Sequence, residues 1–269
     1  YAAGKNNQSY NNVFIGNKAG YKNTDGQNII AIGDLAGFEN TSSQNIFIGT
    51  EAGKNNTDGF FNIMIGRYAG RDNTTGAEQV LIGGGAGSSL TTGGENVIIG
   101  DNAGTVNDTG TGNVYIGTNA GWGNKGSKNI FIGYDIGYNN FVNKSNVLII
   151  DNKTTSSPLV YGEFDNDFFK INGDINYTGS LSQVSDRRLK TNINSLDYGL
   201  EEVLKFNPVT YSMKKGDNRL KMGFVAQEVR KIAPELVTEN SKGYLGLKYI
   251  EFAPILVNSI QEQQKQIHK

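Results

Sequence analysis

The chain has no cysteine, four prolines, one tryptophan and one histidine, His268, next to its end. Without cysteine there are no disulfides and no thiolate metal sites. With one terminal histidine, a His-based triad and a His-rich zinc site are excluded, so neither a metal nor another cofactor is expected. Four prolines rule out a Pro-rich linker and a collagen. No apolar run reaches the length of a bilayer span and no signal peptide stands at the start, so membrane insertion is not expected. The formal net charge of -1, with no basic block, speaks against nucleic acid as a partner. The first residue is Tyr1 rather than Met, which leads us to expect a fragment or a processed product.

Glycine is abundant instead, 36 of 269 residues, against a usual ~7%. Much of it is periodic. A segment Asn, β-branched, apolar, Ile, Gly reads Asn12-Val13-Phe14-Ile15-Gly16 and returns as Asn45–Gly49, Asn62–Gly66, Asn96–Gly100, Asn113–Gly117 and Asn129–Gly133. Ile29 and Gln79 stand at the Asn position in two further copies. The glycines at 16, 33, 49, 66, 83, 100, 117 and 133 define a period of 17 with two steps of 16. Asn146-Val147-Leu148-Ile149-Ile150 lacks the glycine and reads as a terminal cap. Ala-Gly follows the repeat glycines, as at 19–20 and 36–37, with Ile136-Gly137 in its place after Gly133, and polar turns such as Asn56-Thr57-Asp58-Gly59 separate the copies.

Two β-branched residues at i and i+2 share one face of a short strand. One such unit cannot bury its apolar face alone, but a stack can, so the pattern predicts a parallel β-solenoid or β-roll with one coil per ~17 residues and a length of roughly 40 Å. The Asn column is expected to form a ladder inside it. The residue between the β-branched pair is also apolar: Phe14, Ala31, Phe47, Met64, Leu81, Ile98, Tyr115, Phe131 and Leu148. It points away from the β-branched pair and would form an exposed hydrophobic stripe, so we expect a homo-oligomer packed along it. The other reading packs it against the opposite wall of its own coil. Asp25, Asp58 and Asp108 do not recur with the period, which disfavours calcium, and Asn-x-Thr at Asn55 and Asn73 reads as turn chemistry. The repeat resembles the left-handed parallel β-roll of trimeric autotransporter adhesin heads, which carry a similar strand on a shorter coil.

The period ends near residue 152. Residues 153–184 read as a β-rich neck, with strands at Leu159–Phe164 and Phe168–Gly173, a turn at Asp165-Asn166-Asp167 and a third strand at Ile175–Gly179. From Ser185 the composition turns to Lys, Glu and Leu. Helices are predicted over Leu196–Phe206, Gly223–Ala233 and Tyr249–Lys269, with a strand at Val209–Met213. In the last helix Ala253, Leu256, Ile260, Gln263 and Ile267 form a heptad seam. The domains are therefore 1–152, 153–184 and 185–269. The fold class is mainly β: a solenoid of ~17-residue repeats in a homotrimer, then a small α+β domain ending in a coiled-coil helix.

Ser185-Asp186-Arg187-Arg188-Leu189-Lys190-Thr191-Asn192-Ile193, followed in order by Gly223–Val229, Pro234–Val237 and Tyr249, resembles the peptidase S74 family, the intramolecular chaperone of phage endosialidases, tail spikes and tail fibres. The resemblance implies a domain that trimerises, guides folding of the β-rich part before it and cuts itself off, with Ser185 as nucleophile and Lys190 as general base. Chemistry independently allows this pair: with no usable His, Lys is the natural base for a Ser hydroxyl, provided burial or nearby positive charge favours its neutral form. Arg187 and Arg188 are candidates for that charge, or for pairing with Asp186 or Glu228. Attack on the Val184 carbonyl closes a five-membered ring and would cut Val184–Ser185. The family resemblance implies the Ser185–Asp186 junction, with a neighbouring chain's hydroxyl as a further route. The expected protein is a virion tail fibre or cell-surface fibre that binds a host-surface receptor, glycan or protein, and turns over no external substrate. The rivals are a bacterial adhesin with the same chaperone and a glycan-degrading tail spike, for which no carboxylate pair stands out.

Overall fold

The computed structural model describes residues 2–137, 141–214, 218–240 and 243–268. It forms two compact units, Tyr1–Gly179 and Ser180–Lys269. Lys269, the end of the last predicted helix, lies outside the described residues.

The first unit is the solenoid. Its strands are β1 (Val13–Ile15), β2 (Ile30–Ile32), β3 (Ile46–Ile48), β4 (Ile63–Ile65), β5 (Val80–Ile82), β6 (Val97–Ile99), β7 (Val114–Ile116), β8 (Ile130–Ile132) and β9 (Val147–Ile150). Each pairs in parallel with the next, so Phe47 stands beside Met64 and Leu81 beside Ile98. β1 to β8 are short because each ends at a repeat glycine with positive φ, such as Gly66 at 135°. A Cβ there would collide with the carbonyl of Gly83 in the next coil, so both conformation and space demand glycine.

The middle residue of each strand faces inward. Ala31, Phe47, Met64, Leu81, Ile98, Tyr115 and Phe131 are fully buried, together with the alanines of the Ala-Gly steps. The expectation of an oligomer packed along this column is thus corrected: the column is the solenoid's own core. The flanking Val and Ile residues point outward. Parity explains it, because side chains two apart share a face and Asn12, Asn45 and Asn62 stand two residues before Phe14, Phe47 and Met64. An inward Asn forces an inward middle residue. The last strand shifts by one: Ile149, not Leu148, pairs with Phe131 and takes the buried place.

The Asn ladder is present. Asn45 Nδ2 donates to Gly59 O at 2.8 Å, and Asn45 Oδ1 accepts from the Asn62 backbone N–H at 2.9 Å. A second column in the turns links Asn40, Asn56 and Asn73 by side-chain bonds of 2.6 Å. Where Ile29 replaces the strand Asn, Asn23 Oδ1 is left without a partner. Tyr115 donates to Asn124 Oδ1 at 2.9 Å, and burial pushes its hydroxyl pKa far up.

The neck continues this sheet. β10 (Val160–Glu163) runs antiparallel to β9, and β11 (Phe168–Ile171) antiparallel to β10. The aromatic row Phe131, Phe141, Tyr161 and Phe168 carries the core into the hairpin. The third predicted strand is absent, since residues 175–179 are irregular and exposed.

The second unit has α1 (Leu200–Val203), the antiparallel pair β12 (Val209–Tyr211) and β13 (Lys221–Gly223), α2 (Ala226–Val229), the pair β14 (Val237–Glu239) and β15 (Leu245–Leu247), and α3 (Phe252–Ile267). Two predicted helices shrink to about one turn each. Gly223 ends a strand rather than starting a helix, and Tyr198 and Gly199 are held outside the helix by contacts described below. The core gathers Val229, Ala233, Leu236, Phe252 and Ile255, with Phe224 stacked on Phe252 and Phe206 tilted against it. Phe252, Ile255 and Ser259 form the buried face of α3, while Leu256, Ile260 and Ile267 of the heptad seam are exposed.

Asn62→Ala should lower solenoid stability by about 1–3 kcal/mol for each buried group it strands, here Gly76 O and the Gln79 N–H. Chemical denaturation compared with the exposed change Thr92→Ala, expected to be near neutral, checks this.

Candidate active site

Every residue from Gly173 to Asp197 is solvent-exposed. Within this stretch the chain makes one tight feature, a 3-10 turn at Arg187–Leu189. Asp186 caps it, with its carboxylate accepting the Arg188 N–H at 2.8 Å and the Arg188 guanidinium at 2.7 Å. The Lys190 N–H closes the turn on Arg187 O at 3.1 Å. Fully extended, five residues would span roughly 17 Å; the turn folds Lys190 back toward Ser185. Lys190 Nζ stands 2.6 Å from Ser185 Oγ. As drawn, the amine donates to the hydroxyl. With a neutral amine the same separation serves transfer of the hydroxyl proton to nitrogen.

The surrounding charge is local. Hydrogen bonding to Arg188 holds the Asp186 carboxyl below its ordinary range, and Arg188 is raised in return. Of the two sequence-level alternatives for the arginines, Arg188 therefore pairs with Asp186. Among the described residues no ion pair joins Arg187 or Glu228 to the Ser–Lys pair. Glu228 lies on α2, where its carboxylate accepts from Asn207 Nδ2 at 3.5 Å.

Sequence reasoning missed how this arm is anchored. Asn258 on α3 donates to Tyr198 O at 2.9 Å, and Glu262 on α3 accepts the Leu200 N–H at 2.7 Å. Glu202 accepts the Gly199 N–H at 3.0 Å, and the Tyr198 hydroxyl donates to Glu235 at 2.6 Å, which lowers the Glu235 carboxyl. These bonds hold residues 198–200 against α3 a few residues beyond the dyad. Asn258 and Glu262 sit some sixty residues from their targets, and neither interrupts the helical pattern, so no local signal marks them.

Because the Asp186 carboxyl is depressed in the folded chain, its cap on the turn is fully present above the ordinary carboxyl range and is lost as pH falls through the folded value. Carbon-detected NMR titration should find Asp186 below the ordinary range, and Arg188→Gln should return it toward that range.

No curated protein and no solved structure gives a significant match to the chain. Its family match begins at the dyad serine. No helix among the described residues is long and apolar enough to cross a membrane. Residues 185–238, after the N-terminal β-solenoid, match the family model described as Peptidase S74, chaperone of endosialidase.

Proposed function

We propose that this chain is a trimeric fibre whose C-terminal unit assembles the three chains, directs folding of the solenoid and then releases itself by cutting at Ser185. The observation that carries the reading is the 2.6 Å contact between Lys190 Nζ and Ser185 Oγ inside the family-matched segment. The setting is a tail-fibre-like protein of a phage or an extracellular fibre, with a host-surface glycan or protein as the target of the solenoid.

The chemistry uses groups on this chain. Neutral Lys190 takes the Ser185 hydroxyl proton as the oxygen attacks a backbone carbonyl. The ammonium returns a proton to the departing nitrogen, leaving an ester and a free amine. Water then hydrolyses the ester to a carboxylate and restores the serine hydroxyl. Attack within the chain at Val184 closes a five-membered ring, whereas cutting Ser185–Asp186 takes the hydroxyl from a neighbouring chain. Neutral lysine is favoured where water is excluded. Ser185 and Lys190 are both exposed in the single chain, so the enclosure comes from neighbouring copies, and cleavage follows assembly. The exposed seam of α3, with Leu256, Ile260 and Ile267, supplies the coiled-coil contact that gathers them.

The folding logic is physical. Every solenoid pairing is non-local, and a one-coil slip leaves all contacts chemically similar. A module that fixes three chains at one end sets the register for the rest. Its later removal discards the nucleus and makes the assembled state kinetically hard to undo.

Expression of the wild type should yield two pieces on denaturing gels, while Ser185→Ala and Lys190→Ala stay whole. The released piece should begin at Asp186, or at Ser185 if the cut falls one bond earlier. An undivided wild-type band under all conditions contradicts self-cleavage.

A further inference from the structure

In a repeat, a corner position that serves the fold alone holds similar residues in every coil. One corner departs from this. The residue two places before each of β1 to β8 takes the left-handed region. Elsewhere it is polar or glycine, as at Asn28, Gln44 and Glu78, with φ of 57°, 63° and 59°. Before β4 it is Phe61, with φ of 55°. A bulky aromatic residue is strained in this region. Phe61 is 49% exposed, so packing within the chain offsets little of that strain. Phe60 beside it is 44% exposed, and the two rings stand edge to face, centroids 5.4 Å apart at 72°.

The preceding coil shapes the same corner. Its turn from Asn40 to Asn45 is one residue shorter than the turn from Asn56 to Asn62. Thr41 Oγ1 donates to Thr57 O at 3.0 Å and Ser42 Oγ donates to Gly59 O, so the residue without a counterpart is Asp58. On the other side a Cβ on Gly26 would meet Ser42 O, which leaves Asp25 equally unmatched. Two exposed carboxylates, Asp25 and Asp58, therefore flank a shorter turn of Thr41, Ser42, Ser43 and Gln44. Glu78 stands in the following coil, its N–H bonded to Phe60 O at 3.0 Å. The turns at 23–28, 40–44, 56–61, 73–78 and 90–95 hold no Lys or Arg.

We propose that Phe60 and Phe61, with the carboxylates and hydroxyls of this corner, bind a neutral sugar unit of a surface glycan. This deepens the reading of the solenoid as receptor-binding, on which it rests. A pyranose ring has a face of C–H bonds whose positive hydrogens are drawn to the negative face of a phenyl ring. Its hydroxyls donate and accept at once. The corner answers both, since Asp58 and Glu78 accept while Ser, Thr and Gln side chains do either. Sialylated or sulfated sugars would meet like charge with no cation in these turns to offset it. A cationic peptide has only donors to offer, and would leave the hydroxyl and amide donors of the short turn unused. Strained residues persist where function uses them.

The test applies the full chain carrying Ser185→Ala to immobilised neutral oligosaccharides of glucose, galactose, mannose and their N-acetylamino forms, beside sialylated and sulfated ones. Phe61→Asn restores the residue found at Asn11 and Asn28, Phe60→Ala removes the second ring, and Tyr134→Ala alters an exposed ring beyond β8. The expected result is binding of a neutral sugar that weakens about ten-fold or more in each Phe variant and is unchanged in Tyr134→Ala. Thermal unfolding of Phe61→Asn should come no earlier than that of its parent. A smaller loss in either Phe variant, or an equal loss in Tyr134→Ala, overturns the site and leaves glycan binding standing. Binding confined to acidic sugars, or displacement of neutral ones by oligolysine, overturns the ligand class. Earlier unfolding of Phe61→Asn makes Phe61 a structural residue and overturns its functional assignment. A parent chain that binds no sugar overturns the site together with the glycan half of the receptor reading.

Discussion

The solenoid depends on one constraint: each coil must return to the same height and orientation after sixteen or seventeen residues. Backbone bonds such as Ile46 N–H to Asn62 O and Gly37 N–H to Ala52 O, at 2.8 and 2.9 Å, run from coil to coil. A buried amide that reaches the next coil is satisfied only when the coils are level, since an unpaired buried polar group costs about 1–3 kcal/mol. The two Asn columns therefore act as register pins, and the glycines let the backbones close at the corners. Aromatic and aliphatic burial then supplies the bulk of the stability. The pins have gaps, at Ile29 and at Leu90, and the orphaned Asn23 oxygen shows what one gap costs locally.

The same repetition that stabilises the stack makes it hard to start. Neighbouring coils are nearly interchangeable, so the rod itself carries no local cue to the correct alignment of one coil on another. The C-terminal unit supplies an unrepeated sequence, a separate core around Phe252, and an exposed apolar seam on α3. Its dyad lies on an exposed arm tied to that helix through Asn258 and Glu262. In the proposed fibre, assembly of the helices and enclosure of the Ser185–Lys190 pair would be linked through this one element.

Much of this was legible in the sequence. The 17-residue spacing, the glycine corners, the Asn ladder and the Ser185–Lys190 pair all stand at short or regular separations. What failed did so for identifiable reasons. The middle apolar column was assigned outward although the inward Asn two residues earlier fixes its parity. The shift to Ile149 comes from one added residue in the last coil. The helices over Leu196–Phe206 and Gly223–Ala233 were overextended because amphipathic spacing says nothing about tertiary anchors such as Glu262 on Leu200. The third neck strand has β-rich composition but no partner strand.

The central claim is that the C-terminal unit directs assembly of the solenoid. The most direct measurement is refolding from denaturant of the full Ser185→Ala chain beside a chain ending at Gly179, followed by circular dichroism and sedimentation. The full chain should recover parallel β structure as a trimer of the 29.1 kDa chain, while the shortened chain aggregates or stays monomeric. Equal recovery of a folded trimer from both would contradict it.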